Sequence, residues 1–101
     1  MNNRVKLQKI LEDILGSRNV YYQPPATVKM AYPAIVYSRN DIENLHADNT
    51  VYRQNDSYEI TVIDKKPDSR IVRDISLLPR CRFSRHYVTD NLNHDVFVLY
   101  F

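Results

Sequence analysis

The chain has 101 residues, of which 44% are hydrophobic and 26% are charged. These proportions are close to the globular average, so they argue against extensive disorder and predict one domain over residues 1–101. The formal net charge of +2 does not indicate a strongly basic nucleic-acid binder, and the single cysteine excludes an intrachain disulfide. No apolar stretch approaches the ~20 residues of a membrane span, so we expect no membrane among the partners.

The first predicted element is an amphipathic helix over about residues 3–15. Asn2 or Asn3 is its expected N-cap, and Gly16 is expected to end it. Apolar residues recur at the spacing of one helix face: Leu7, Ile10, Leu11 and Ile14.

Two strands are predicted next. The run Val20-Tyr21-Tyr22 has strand-forming residues and ends at Pro24-Pro25, because proline cannot donate a hydrogen bond to a ladder. Residues 34–39, which follow Tyr32-Pro33, have the composition of a buried strand.

A polar stretch, residues 40–49, separates that strand from the next one. Its turn-forming dipeptides Asn40-Asp41 and Asp48-Asn49 indicate a hairpin arm. Residues 50–64 then alternate in polarity as a long, half-exposed antiparallel strand does. Residues 40–56 as a whole are too polar for a core and longer than a turn requires, so we expect this arm to contact a partner.

The last third of the chain predicts a second helix and a two-strand hairpin. Asp68 is a natural N-cap for a helix of about ten residues that Pro79 stops. A strand over residues 80–88 then turns through residues 89–93 into the terminal strand.

The two strands of this hairpin differ in their predicted faces. Simple alternation groups Cys81, Phe83 and Tyr87 on one face of the first strand, with Arg80, Arg82 and His86 opposite. The terminal run is apolar on both faces, with Val96, Val98 and Tyr100 on one and Phe97, Leu99 and Phe101 on the other. Both faces therefore need cover from helices or from another subunit, and we expect this strand to be core.

The predicted order is helix, strand, strand, hairpin arm, long strand, helix and two-strand hairpin. This order predicts an α+β fold: a mostly antiparallel sheet with two amphipathic helices on one face and an extended hairpin arm.

Charge is unevenly distributed along the chain. Between residues 70 and 86 there are five arginines and one acidic residue, a local charge of +4 against −2 for the rest. Arg82 and Arg85 could therefore face an acidic partner or DNA. The alternative is a solvated surface that only keeps the protein soluble.

The sequence contains no recognisable catalytic or metal-binding motif. His46, His86 and His94 are too far apart for a local metal motif. Adjacent residues of a strand point to opposite faces, so His94 and Asp95 are poorly placed as an acid and base pair. Cys81 is expected to face inward. We therefore expect no enzymatic activity, no cofactor and no essential metal.

Five short runs distributed between about residue 4 and residue 101 together suggest a family. They are VYYQPP at residues 20–25, YPAIVY at 32–37, HADN at 46–49, Tyr58 with TVID at 61–64, and NLNHDVF at 91–97. These runs resemble the small neck proteins of long-tailed bacteriophages. Among those, the chain most resembles the tail terminator, also called the tail completion or head-tail joining protein.

The resemblance implies a structural virion protein that performs no chemistry. Such a protein forms a ring, usually a hexamer, that caps the tail tube and joins the tail to the neck. The implied partners are further copies of the chain, the tail tube protein and the head-tail connector or neck proteins, with DNA passing nonspecifically through the lumen. The implied location is the virion, after assembly in the host cytoplasm.

The resemblance transfers no individual contact residues, so the candidate interface residues come from the polar arm and the basic segment. They are Asp41, Asn44, Asp48, Asn49, Tyr52, Asn55, Arg82 and Arg85.

Two alternative functions stay open. The chain could be another phage neck component, such as a head-completion or stopper-like protein. It could also be a small nucleic-acid-binding α+β module, since interleaved arginines and aromatic residues on a strand can bind single strands by stacking. The residues for that role are Arg80, Arg82, Arg85 and Tyr87.

Overall fold

The computed structural model describes residues 3–24, 29–47, 50–66 and 69–101, with side chains described outside Asn3 and residues 40–56. The elements are α1 (Asn3–Leu15), β1 (Val20–Tyr22), β2 (Ala34–Ala47), β3 (Thr50–Asp64), α2 (Arg70–Ser76), β4 (Cys81–Thr89) and β5 (Leu92–Tyr100). The α+β class expected from the sequence is confirmed.

The five strands form one sheet in the order β1-β2-β3-β5-β4. β1 is parallel to β2, and the other three neighbouring pairs are antiparallel. The expectation of a mostly antiparallel sheet is therefore confirmed. The terminal strand β5 lies between β3 and β4, so both of its edges are paired.

The first helix has the predicted bounds. Of the four residues of the predicted stripe, Leu7 and Leu11 are fully buried, whereas Ile10 and Ile14 are half-buried. Gly16 ends the helix with a φ of +79°, a left-handed conformation that a residue without a Cβ adopts at little cost. Its N–H donates to the Glu12 carbonyl at 2.8 Å.

The second helix is shorter than predicted and begins later. It has seven residues, and its N-cap is Ser69, whose hydroxyl oxygen accepts from the Ile71 N–H at 3.2 Å. The prediction of Asp68 as N-cap is therefore wrong; Asp68 itself lies outside the described residues. The helix ends three residues before Pro79, with Leu77 as C-cap.

The turn predicted at Asn40-Asp41 is also wrong. β2 continues through these residues and stays paired with β3 as far as Ala47 opposite Thr50. Its register shifts between Arg39 and Asp41, which is how a β-bulge bends a strand without ending it. The second predicted turn, Asp48-Asn49, lies outside the described residues.

The turn between β4 and β5 is tighter than the predicted five residues. Asp90 and Asn91 alone join the strands, with φ values of 52° and 60°. Positive φ at both central residues is the type I′ geometry, whose twist matches that of a hairpin. Asp and Asn tolerate this conformation better than most residues.

The hydrophobic core combines residues from both helices with residues from four strands. The cluster of buried side chains contains Leu7, Leu11, Val20, Ile35, Tyr37, Tyr58, Ile60, Val62, Ile71, Ile75, Phe97 and Leu99. Phe97 and Leu99 of the terminal strand are buried in this cluster, so β5 is core, as expected. On the opposite face of β5, Val96 is buried while Val98 and Tyr100 are half-buried.

A buried polar side chain ties α1 to the sheet. The Tyr37 hydroxyl donates to Oε1 of Gln8, and Nε2 of Gln8 donates to the Val20 carbonyl at 3.1 Å. Burial raises the pKa of Tyr37, so the phenol stays neutral and keeps its proton to donate. Tyr22 packs on the Tyr37 ring with the centroids 4.9 Å apart.

We expect Phe97→Ala to lower the free energy of unfolding by about 3 to 5 kcal/mol, because it leaves a cavity at a fully buried site. Phe83 is the matched control: its ring contacts Phe97 edge-on with the centroids 5.5 Å apart, but it is 51% exposed. Phe83→Ala should cost only about 1 kcal/mol. Urea denaturation measures both losses, and equal losses would contradict the assignment of β5 to the core.

Candidate interaction surface

A β-bulge in β4 determines which of its residues share a face. Arg82 pairs with Val98 and Phe83 with Phe97, but the next paired residue is Arg85, opposite Val96. Ser84 is the extra residue between them. Because a one-residue insertion reverses the alternation, every residue after Ser84 is on the face opposite to the one predicted from simple alternation.

The predicted grouping of faces along β4 is therefore wrong after Ser84. Tyr87 shares a face with Arg82 and Arg85, whereas His86 moves to the face of Cys81 and Phe83. We call the first of these the arginine face. It consists of Arg82, Arg85 and Tyr87 on β4 together with their neighbours His94, Val96, Val98 and Tyr100 on β5.

Aromatic rings position cations on and beside the arginine face. Tyr87 stacks on His94, with the ring centroids 4.6 Å apart and an interplanar angle of 11°. The Arg85 guanidinium lies 5.9 Å from the centroid of the Tyr87 ring, and that of Arg80 lies 5.7 Å from Tyr100. Exposed contacts of this kind contribute about 0.5 to 1 kcal/mol each, enough to bias the arginine rotamers.

Both candidate residues of the basic segment, Arg82 and Arg85, lie on this face and are exposed. They stand opposite Val98 and Val96, two residues apart on β5. Within the described parts of the chain, the one ion pair joins Arg70 to Asp74 at 3.7 Å. The charges of Arg82 and Arg85 are therefore available to a partner.

β4 is an edge strand that presents apolar side chains to solvent. From Arg82 to Thr89 every residue is exposed. Phe83 is 51% exposed, Val88 is 59% exposed, and both lie on the face opposite the arginines. An edge strand of nine residues, eight of them exposed and some of them large and apolar, is an aggregation risk unless a partner covers it or its charges restrict which strands can pair with it.

The candidate residues of the arm are distributed over two strands. Asp41 and Asn44 lie in β2, and Tyr52 and Asn55 lie in β3. Their side chains are outside the described part of the structure, as are Asp48 and Asn49 altogether. The strand order places β2 and β4 toward opposite edges of the sheet, so the two groups of candidates do not converge within one copy.

Sequence reasoning missed the position of His86 opposite Asp95, because the bulge at Ser84 sets that register. Asp95 is only 8% exposed, and burial raises the pKa of its carboxyl group while the nearby histidines oppose the shift. Nε2 of His86 lies 3.3 Å from Oδ1 of Asn93.

A metal site, a reactive thiol and a membrane span each have requirements that can be compared with the described residues. There, no three His, Cys, Asp or Glu residues are close enough together to hold a metal ion. Burial raises the pKa of the half-buried Cys81 thiol, which disfavours the reactive thiolate. Among the described helices, none has the length and apolar character to cross a membrane.

No protein-family model matches the chain, and no curated protein or solved structure matches it either. The assignment of a function therefore rests on the resemblance of the short runs in the sequence and on the surface described above.

We expect Asp95→Asn to raise the free energy of unfolding at neutral pH and to leave it nearly unchanged in acid. A pKa raised by folding means that the folded protein holds the proton more tightly than the unfolded chain. The loss of stability from ionising Asp95 therefore develops as the pH rises from the ordinary carboxyl pKa through the raised pKa. It persists at every higher pH.

Urea denaturation of both proteins from about pH 3 to pH 8 measures this difference. Asp90→Asn in the exposed turn is the control for replacing a carboxylate by an amide at a site that is not buried. A wild type more stable than Asp95→Asn at neutral pH would contradict an unfavourable buried carboxylate.

Proposed function

We propose that this chain is a structural protein that assembles into a ring, and that it serves as a tail terminator at the head-tail junction of a long-tailed bacteriophage. In this role it caps the tail tube and joins the tail to the neck. Its partners are other copies of itself, usually six in all, the tail tube protein and the connector or neck proteins. Its location is the virion.

One observation carries the assembly part of this proposal: the exposed edge strand β4, with Phe83 and Val88 on one side and Arg82 and Arg85 on the other. Isolated apolar residues on a surface are ordinary, but here they lie along a strand whose outer edge, from Phe83 to Val88, has no strand partner in the described structure. Such a strand favours a function exercised through contact with other chains.

The phage assignment is supported by the five sequence runs that resemble neck proteins. We assign no catalytic step and no cofactor to the chain, because a ring that caps a tube acts by shape and contact alone.

Two finer features of the fold belong to the same proposal. We infer that both helices lie on one face of the sheet, since the core cluster joins Leu7 of α1 and Ile75 of α2 with Tyr37, Ile60 and Phe97 of the strands. These strand residues share the face opposite the arginine face. We also infer that residues 40–56 form an arm beyond this core that reaches a partner.

A second candidate function, nucleic-acid binding, is favoured by a separate observation. The bulge at Ser84 brings Arg82, Arg85 and Tyr87 to the same face, beside the His94 ring. Arginines interleaved with exposed rings suit the phosphates and bases of a single strand. The remaining alternative, another component of the phage neck, differs from a tail terminator in its partners rather than in its mode of action.

We expect the purified wild-type protein to form rings with a central hole in negative-stain images, and a single mass of several subunits in light scattering. The exposed strand edge provides the contacts, and head-to-tail contacts close into a ring when the rotation per subunit permits. A protein that stays monomeric at all concentrations and binds an oligonucleotide tightly would replace this proposal with the nucleic-acid-binding one.

We expect replacement of residues 43–55 by Asn-Gly to leave the melting temperature close to that of the wild type while preventing ring formation. The paired positions 42 and 56 would then be joined by a short hairpin loop, and the buried cluster would be untouched. Circular dichroism gives the melting temperature and light scattering gives the mass. Rings of normal size from the shortened chain would show that the arm is only a connector.

A further inference from the structure

The free edge of β4 has a defined pattern of backbone donors and acceptors. The Tyr100 N–H donates to the Arg80 carbonyl at 3.2 Å, so this pair is hydrogen-bonded toward β5. Pairs in an antiparallel ladder alternate, which directs the backbone N–H and C=O groups of Cys81 and Phe83 away from β5. The Cys81 N–H donates to the Leu78 carbonyl at 3.2 Å, so the donors that a further strand would meet begin at Phe83. Beyond the bulge, the two-residue turn makes Thr89 and Leu92 a hydrogen-bonded pair. By the same alternation, the backbone N–H and C=O groups of His86 and Val88 point away from β5.

A strand added to this edge would meet a different environment on each face of the sheet. Side chains directed to the arginine face would lie beside Arg82 and Arg85. Side chains directed to the other face would lie beside Phe83 and Val88. The edge is therefore suited to a strand in which acidic residues alternate with apolar ones.

The same arginines disfavour pairing of β4 with β4 of a second copy. Such a contact would bring Arg82 and Arg85 against identical charges with no acidic residue of β4 between them. Arginines and bulges are also the features by which natural edge strands avoid indiscriminate pairing. The partner strand should then be acidic and come from elsewhere.

A second free edge lies at the other side of the sheet. β1 pairs with β2 only from Ile35 to Tyr37, and Gln23 extends this contact by bonding to the Tyr37 carbonyl and the Arg39 N–H. Residues 40–47 of β2 continue beyond it, paired with β3 on one side. On the other side, the described residues offer them no strand.

This free stretch of β2 has the sequence NDIENLHA, in which Asp41 and Glu43 flank Ile42. From Asp41 to Leu45 its register with β3 is regular, so Asp41 and Glu43 are about 7 Å apart along the strand. Arg82 and Arg85 stand opposite residues that are also two positions apart, because Ser84 is bulged out. The acidic and basic positions therefore have the same spacing.

We propose that β4 of one copy pairs with residues 40–47 of β2 from the next copy, which continues the sheet from subunit to subunit. Asp41 and Glu43 of one copy neutralise Arg82 and Arg85 of the other. The two edges lie on opposite sides of each subunit, so the contact is head-to-tail, the type that closes into a ring when the rotation per subunit permits. Because it is the contact within that ring, this pairing rests on the proposed function.

Charge reversal at each edge tests the pairing. Arg82→Glu with Arg85→Glu makes both edges acidic, and Asp41→Lys with Glu43→Lys makes both edges basic. Each variant alone should lose assembly by at least about tenfold in dissociation constant at low salt. Mixed in equal amounts they should assemble again to the wild-type mass, because each edge then meets an opposite charge on the other variant.

Lys6→Glu with Lys9→Glu is the matched control for the arginine variant, since it makes the same change in net charge at two exposed positions of α1. It should assemble as the wild type does. Melting curves establish that every variant is folded. If the wild type forms rings, assembly of either edge variant alone at the wild-type level would overturn the pairing and leave the ring proposal standing. A folded mixture of the two variants that stays monomeric would have the same consequence. A monomeric wild type would overturn both.

Hydrogen exchange on the wild type gives a second test that needs no substitution. The amides of Phe83, His86 and Val88 point away from β5, so they should exchange rapidly in the dilute monomer. On assembly their exchange should slow at least about tenfold, as hydrogen-bonded strand amides do. Unchanged exchange at these three amides in the assembled form would overturn the pairing.

Discussion

The insertion of the terminal strand between β3 and β4 is the contact on which the rest of the structure depends. β5 is the sole sheet partner of β4 in the described structure, and it contributes Phe97 and Leu99 to the core cluster. Its pairing joins the last residues of the chain to a strand about 40 residues earlier. Such a long-range contact is entropically costly to form, so it must be supported by extensive burial.

The two faces of β5 differ in burial: one lies in the core, and the other is partly exposed to solvent. On one face, Phe97 and Leu99 are sealed under apolar side chains, where any change of volume is costly. On the other face, Val98 and Tyr100 are half-buried beside exposed arginines. Substitutions on the second face can alter partner choice without unfolding the protein, because surface changes usually have small effects on stability.

In the proposed pairing, specificity at this surface arises from the combination of an open strand edge with two like charges. An uncharged edge of this length is a template for pairing with strands of other chains, including its own copy. Arg82 and Arg85 oppose such pairing and admit an acidic strand, while Phe83 and Val88 provide the apolar area that a polar contact alone would lack. The bulge at Ser84 is what places the two arginines on one face.

Local patterns in the sequence determined most of the elements. The stripe of α1, the closing Gly16 and the alternation through Tyr58, Ile60 and Val62 all depend on near neighbours, so these elements and the α+β class could be predicted. The sequence predicts the second helix, but about ten residues long and with the wrong cap, since Ser69 and Asp68 are equally good caps by residue type. Only the tertiary structure decided the strand order, the continuation of β2 past Asn40 and the bulge at Ser84. Each of these depends on which distant strand supplies the hydrogen bonds, a property that no short window of sequence contains.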